Sequence, residues 1–105
     1  MSAKKLPKIF AALGDETRLM LVSKLSDGKP QSISELTRGL DLSRQAVTKH
    51  LQVLEEAGLV KSQYHGRENI FQFRPKKLED MKGYLEQVSR QWDLAIDRLK
   101  SFVEE

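Results

Sequence analysis

Two serines frame this chain. Ser32, in Ser32-Ile-Ser-Glu35, and Ser43, ahead of a long amphipathic stretch, both read as helix N-caps, with Gly39 between them. Glu35 stands at the third helical position, where its carboxylate can reach back to the cap N–H and complete a capping box. Ile33, Leu36 and Leu40 fall at i, i+3 and i+7, so the first helix makes about two turns and ends around Gly39. The second runs from Arg44 to Ala57, with Val47, Leu51 and Leu54 as its buried stripe and Gly58 as its stop. Only Leu40-Asp41-Leu42 separates the first helix from Ser43, and two helices joined that closely form a helix-turn-helix.

The flanks narrow the architecture. Pro7 opens a short apolar-rich helix, Lys8 to Leu13, stopped by Gly14. Asp15 caps a helix that buries Leu21, Val22 and Leu25 and ends at Asp27-Gly28; Lys29-Pro30-Gln31 breaks the chain before Ser32. Beyond Gly58, Leu59–Tyr64 and Asn69–Arg74 favour strands, separated by His65-Gly66-Arg67-Glu68 and closed by Pro75. Phe71 and Phe73 alternate with polar neighbours, so one face of this hairpin leans on the helices, as a lone two-stranded hairpin must. The expected fold is mainly α with a small β-hairpin: a winged helix-turn-helix of about five helices and a two-stranded wing.

The 105 residues read as one domain, 1–105, with a winged-helix core over 8–75 and a long helix over 76–105. In that tail, apolar residues recur at Leu78, Met81, Leu85, Val88, Trp92, Ala95, Leu99 and Phe102, in alternating steps of three and four. A helix from about Lys77 to Glu104 is roughly 40 Å long, more than a domain this small needs. Tyr84, Ile96 and Val103 widen the stripe, and the first helix covers only part of it. Either the tail folds back on its own core or a second copy covers it. The second reading makes a dimer whose interface comprises Ile9, Phe10, Leu13, Leu85, Val88, Trp92, Ile96, Leu99 and Phe102.

Charge identifies a class of partner. Residues 1–75 hold 12 Lys/Arg against 8 Asp/Glu, net +4, whereas 76–105 hold 6 against 7, net −1, so the positive charge resides in the winged-helix part. Rotation by 100° per residue from Val47 puts Gln45, Lys49 and Gln52 opposite the buried stripe, with Thr48 on one flank and Ala46 and Val53 on the other. Arg and Lys read guanine edges, Gln reads adenine, and the methyl groups of Thr and Ala meet thymine. Ser43 and Arg44 open this helix, whose free N–H groups suit a phosphate. Gly66 permits a tight turn, and Arg67 beside it either enters a minor groove or grips phosphate, or is a solvated arginine paired with Glu68. Lys29, Gln31, Ser32 and Ser34 are weaker phosphate candidates.

Other chemistries are excluded or unsupported. The chain has no cysteine, hence no disulfide, thiolate metal site or cysteine nucleophile. Its two histidines, His50 and His65, stand apart without a visible acid partner or nucleophile, and its glycines are scattered rather than gathered in a phosphate loop. No enzyme activity, metal or cofactor is expected. No apolar run approaches a membrane span and Met1-Ser-Ala-Lys-Lys lacks a signal peptide's apolar stretch, so a cytoplasmic protein without a membrane partner is expected.

Gly14-Asp15-Glu16-Thr17-Arg18, the run Ser43 to Val60 with Lys49-His50-Leu51 and Leu54-Glu55-Glu56-Ala57-Gly58-Leu59-Val60, and Gly66-Arg67 with Phe71 and Phe73 resemble the ArsR/SmtB family of prokaryotic winged-helix repressors. The resemblance covers roughly residues 8–100. It implies a homodimer joined through its first and last helices, with DNA contacts carried by Ser43, Arg44, Gln45, Thr48, Lys49, His50 and Gln52 and by the wing tip at Gly66 and Arg67. It also implies repression by occupancy of a double-stranded operator, relieved when an effector lowers affinity. Nothing in the residues names such an effector. Metal-sensing members carry Cys-x-Cys in the helix before the turn; the matching stretch here is Glu35-Leu-Thr-Arg-Gly-Leu40, and residues 76–105 contain no histidine, so the resemblance is to metal-independent members. The alternative is a winged helix that meets proteins and reads no DNA sequence.

Overall fold

All three polar N-caps are engaged in the structure, a computed structural model that describes residues 5–104. Residues 1–4, most of the leader weighed as a signal peptide, and residue 105 lie outside the described residues. Asp15 accepts the N–H of Arg18 at 3.0 Å, and Ser43 Oγ accepts that of Ala46 at 3.1 Å. Ser32 and Glu35 close their capping box reciprocally, at 3.1 and 3.0 Å. These caps open α2 (Glu16–Leu25), α4 (Arg44–Glu56) and α3 (Ile33–Thr37); α1 (Leu6–Leu13) precedes them with Pro7 in its first turn.

The short helix α3 stops earlier than the expected two turns. Arg38 turns extended at ψ 129°, Gly39 takes φ +80°, and Lys24 Nζ from α2 donates to the carbonyls of Leu36 and Arg38 at 3.3 and 3.2 Å. A cation on the last carbonyls ends a helix as well as another turn would continue it.

The sheet has three strands where two were expected. In addition to β2 (Val60–His65) and β3 (Glu68–Phe73), the two-residue β1 (Gln31–Ser32) pairs antiparallel with β3, giving the order β1-β3-β2. Gln31 lies opposite Phe71 and Ser32 opposite Ile70, so the supposed break at Lys29-Pro30-Gln31 leads straight into a strand. The hairpin itself runs in register from Val60↔Phe73 to His65↔Glu68, leaving only Gly66 and Arg67 as its turn. Arg74 N–H donates to the carbonyl of Leu59 at 2.8 Å at its base.

Leu21, Leu25, Leu36, Val47, Leu51, Leu54 and Leu59 are each fully buried, and Phe71 brings the sheet onto this cluster. Ile9 also joins it, at 1% exposure. That corrects its assignment to a surface between chains: Ile9 and Ala12, at i and i+3, share the inward face of α1, whereas Phe10 and Leu13 keep part of their surface outside.

The last helix, α5 (Lys76–Glu104), leaves the core almost at once. Met81 is buried and Tyr84 packs its ring against Phe10 of α1, with centroids 5.9 Å apart and planes tilted by 60°. Beyond that point Trp92 is 65% exposed, Leu99 63% and Phe102 79%, and α5 does not fold back. It gives the chain extents of 68 × 30 × 22 Å. Gly83 sits in this helix with open space where a Cβ would stand. No helix among the described residues is long and apolar enough to cross a membrane.

Candidate nucleic-acid interface

The α4 helix carries its polar residues where the buried stripe predicts. With Val47, Leu51 and Leu54 at 0% exposure, Arg44, Gln45, Lys49 and Gln52 project into solvent, and Thr48 and Ala46 are half-buried beside them. Two hydroxyls are already committed: Ser43 Oγ caps the helix, and Thr48 Oγ1 donates to the carbonyl of Arg44 at 2.7 Å, which leaves the Thr48 methyl as its free surface. The first-turn N–H groups lack helical acceptors, and with the dipole's positive end they favour an anion ahead of Arg44.

Gly66 and Arg67 form a two-residue turn. Gly66 takes φ +64° and Arg67 has no positive φ, the pattern of a type II′ hairpin, in which the first position calls for glycine. The turn brings exposed Arg67 toward the start of α4: Arg44 and Arg67 line one cleft of about 360 Å³ together with Ser34, Tyr64, Glu68 and Asn69. The wing is tied to the other end of α4 by Glu55, whose Oε2 accepts the Ser62 N–H at 3.1 Å and its hydroxyl at 2.8 Å.

His50 does not share the face of Lys49. It lies three residues after Val47, on the flank of the buried stripe, and its Nδ1 points to α2, 3.4 Å from Arg18 Nη1 and 3.7 Å from Asp15 Oδ2. Its ring is half-buried with Nδ1 turned away from that face, and Asp15 supplies the acid neighbour that the sequence did not show. Ser32 is 4% exposed and engaged in its capping box, and Gln31 Nε2 donates to the carbonyl of Lys24 at 2.8 Å, whereas Lys29 and Ser34 stay exposed. Arg18 is the residue that sequence reasoning passed over. Its partners lie on two other elements, and no local spacing announces them.

Hydrogen bonds at two helix N-termini make the carboxyls of Asp15 and Glu35 more acidic. The Arg18 N–H, followed by the Arg18 and His50 charges, holds Asp15 below its ordinary value of 3.8; the Ser32 N–H and hydroxyl hold Glu35 below 4.5. Asp15 is a half-buried N-cap and Glu35 the exposed third-position partner of the Ser32 cap. Among the described residues no group of three or more His, Asp or Glu stands together to hold a metal ion.

Comparison with known proteins adds a lineage to this geometry. A family model described as a helix-turn-helix domain matches residues 13–63, from the end of α1 into the wing. An uncharacterized HTH-type transcriptional regulator of Bacillus subtilis, YuzN, is 40% identical over 85 residues, which cover 74% of this chain and 92% of that one. The HTH-type transcriptional regulator Rv2034 of Mycobacterium tuberculosis is 36% identical over 97 residues, 91% of this chain and 87% of its own. Among solved structures, an ArsR-like transcriptional regulator from Rhodococcus sp. RHA1 superposes with a TM-score of 0.77 at 37% identity, covering 94% of this chain and 92% of that one.

Proposed function

Because the chain belongs to the ArsR family of winged-helix transcriptional regulators, we propose that it acts as a homodimer that occupies an operator in duplex DNA and thereby represses transcription. It is a DNA-binding regulator, not an enzyme. In this reading α4 enters the major groove, where Arg44 and Lys49 meet guanine O6 and N7, Gln45 and Gln52 meet adenine, and the Thr48 methyl meets thymine. Ser43 and the first N–H groups of α4 hold a phosphate, and Arg67, presented by Gly66, takes the adjacent backbone or minor groove.

The observation that carries this reading is the shared cleft of Arg44 and Arg67, which aligns the start of a solvent-facing polar helix with the wing tip on one side of the chain. A second copy supplies the twofold symmetry that a pair of half-sites one helical turn apart requires. The exposed stripe Leu85, Trp92, Ile96, Leu99 and Phe102, with half-buried Val88, Phe10 and Leu13, supports that copy as the partner of α5 and α1. A chromosomal ligand puts the working protein in the cytoplasm.

A mobility-shift assay with the chain's own upstream region tests the proposal. We expect a specific complex whose affinity falls by about three orders of magnitude or more between roughly 50 and 200 mM salt. Equal competition by scrambled duplex at moderate salt would overturn it in favour of a winged helix that meets proteins.

A further inference from the structure

One polar cluster stands outside the proposed DNA-facing surface and joins three helices. Arg18 Nε donates to the carbonyl of Ala12 at 2.7 Å and Nη2 to that of Ala11 at 3.4 Å, where α1 ends. Its Nη1 lies 3.4 Å from Nδ1 of His50 on α4. Asp15, the N-cap of α2, accepts the Arg18 N–H at 3.0 Å and places Oδ2 3.7 Å from the same Nδ1. The guanidinium planes its donors outward and can accept nothing. An Nδ1 that accepts from it belongs to the neutral imidazole with its proton on Nε2.

Protonation reverses that assignment. Nδ1 then becomes a donor, the ring's charge stands beside the guanidinium, and the only suitable acceptor of the pair is Asp15 Oδ2. Among the described residues, the charged groups brought against His50 are Asp15 and Arg18; α1 contributes main-chain carbonyls to Arg18, and Lys49 of α4 projects to the opposite, exposed side. The N–H and charge of Arg18 keep the Asp15 carboxyl ionised throughout the range in which an imidazole titrates. The two protonation states of His50 therefore prefer different partners on α2.

We infer that Arg18 and His50 form a positioning junction that sets α4 against the end of α1, and that protonating His50 loosens the junction and weakens DNA binding. The inference rests on the operator-binding reading above. It goes further, because it gives that binding an acid-sensitive control set back from the DNA. Ala11 and Ala12 lie between Phe10 and Leu13, so the same guanidinium also touches the helix proposed to meet the second copy.

The test is fluorescence anisotropy with a labelled duplex from the chain's own upstream region, from pH 5.5 to 8 at constant ionic strength. The full chain is compared with His50→Gln, His50→Ala and Arg18→Gln. Glutamine accepts from Arg18 through its carbonyl and donates to Asp15 through its amide, and it does not titrate. The affinity of the unaltered chain relative to His50→Gln is expected to fall roughly five- to tenfold between pH 8 and 5.5, about the worth of one hydrogen bond. His50→Ala binds more weakly than His50→Gln throughout, and in the Arg18→Gln background His50→Gln leaves the pH profile unchanged. Circular dichroism checks folding; should Arg18→Gln not fold, the His50→Gln comparison decides alone. Parallel pH profiles for the unaltered chain and His50→Gln overturn the junction and leave the DNA-binding reading intact. Absence of salt-sensitive binding to any duplex overturns both.

Discussion

The carboxylate of Glu55 holds Ser62 twice, through its N–H and its hydroxyl, so the last turn of α4 and the first wing strand meet at one fixed point. The hairpin grows from that point toward Arg67, and its direction decides how the wing tip stands relative to Arg44. Glu55→Ala is expected to cost only about 0.5–1 kcal/mol of stability, because the contact is solvent-exposed. Its larger effect is on operator affinity; urea unfolding alongside anisotropy separates the two quantities.

Lys49 projects from the middle of α4 into solvent. Lys49→Ala is expected to weaken specific DNA binding by about 1–3 kcal/mol while leaving the unfolding midpoint in place. A shifted midpoint in urea would place Lys49 in the fold instead of at the DNA.

Trp92 and Leu99 are 65% and 63% exposed in the single chain, so a charge at either site disturbs no core of its own. Leu99→Asp is expected to convert the proposed dimer to a monomer in sedimentation velocity at micromolar concentration, with the helical circular dichroism of the winged part retained and operator affinity lost. A monomeric unaltered chain would refute the proposed assembly.

Gly83 lies inside α5 with no packing reason visible, since a Cβ there meets nothing within 4 Å. Gly83→Ala is therefore expected to raise stability by about 0.5–1 kcal/mol, by removing unfolded-chain entropy from a helical position. Thermal unfolding at matched protein concentration measures it. A loss of stability would show that a neighbour approaches this face.

Acid sensitivity follows from the caps. Glu35 and Asp15 are held below their ordinary values of 4.5 and 3.8 in the folded chain. Each contributes stability that is present above those values and is lost as pH falls through the lower folded ones. Glu35→Gln keeps an acceptor for the Ser32 N–H without a charge, and its unfolding temperature is expected to decline less steeply below about pH 4.5 than that of the unaltered chain.

What was legible in the residues was local. The Ser32–Glu35 box, the Ser43 cap and the limits of α4 depend on partners three residues away, and those spacings are written along the chain. The wing turn was legible for the same reason, narrowed by two residues once His65 and Glu68 paired. What stayed hidden depends on distant partners. Two residues of β1 carry no periodicity, and only the edge of β3 makes them a strand. Arg18 and His50 meet across 32 positions, so neither could announce the other. Ile9 and Phe10 are adjacent apolar residues, and only the seating of α1 decided which faced inward.

The length of α5 has a consequence for dosage. With its apolar side left uncovered by its own chain, the proposed second copy would be recruited by mass action, and while most copies are single the paired form would grow with the square of their number. Halving expression would then remove about three quarters of the paired species. Under the proposed pairing such a regulator would count its own abundance, and genes under it would switch over a narrower span of protein level than a one-chain binder would allow.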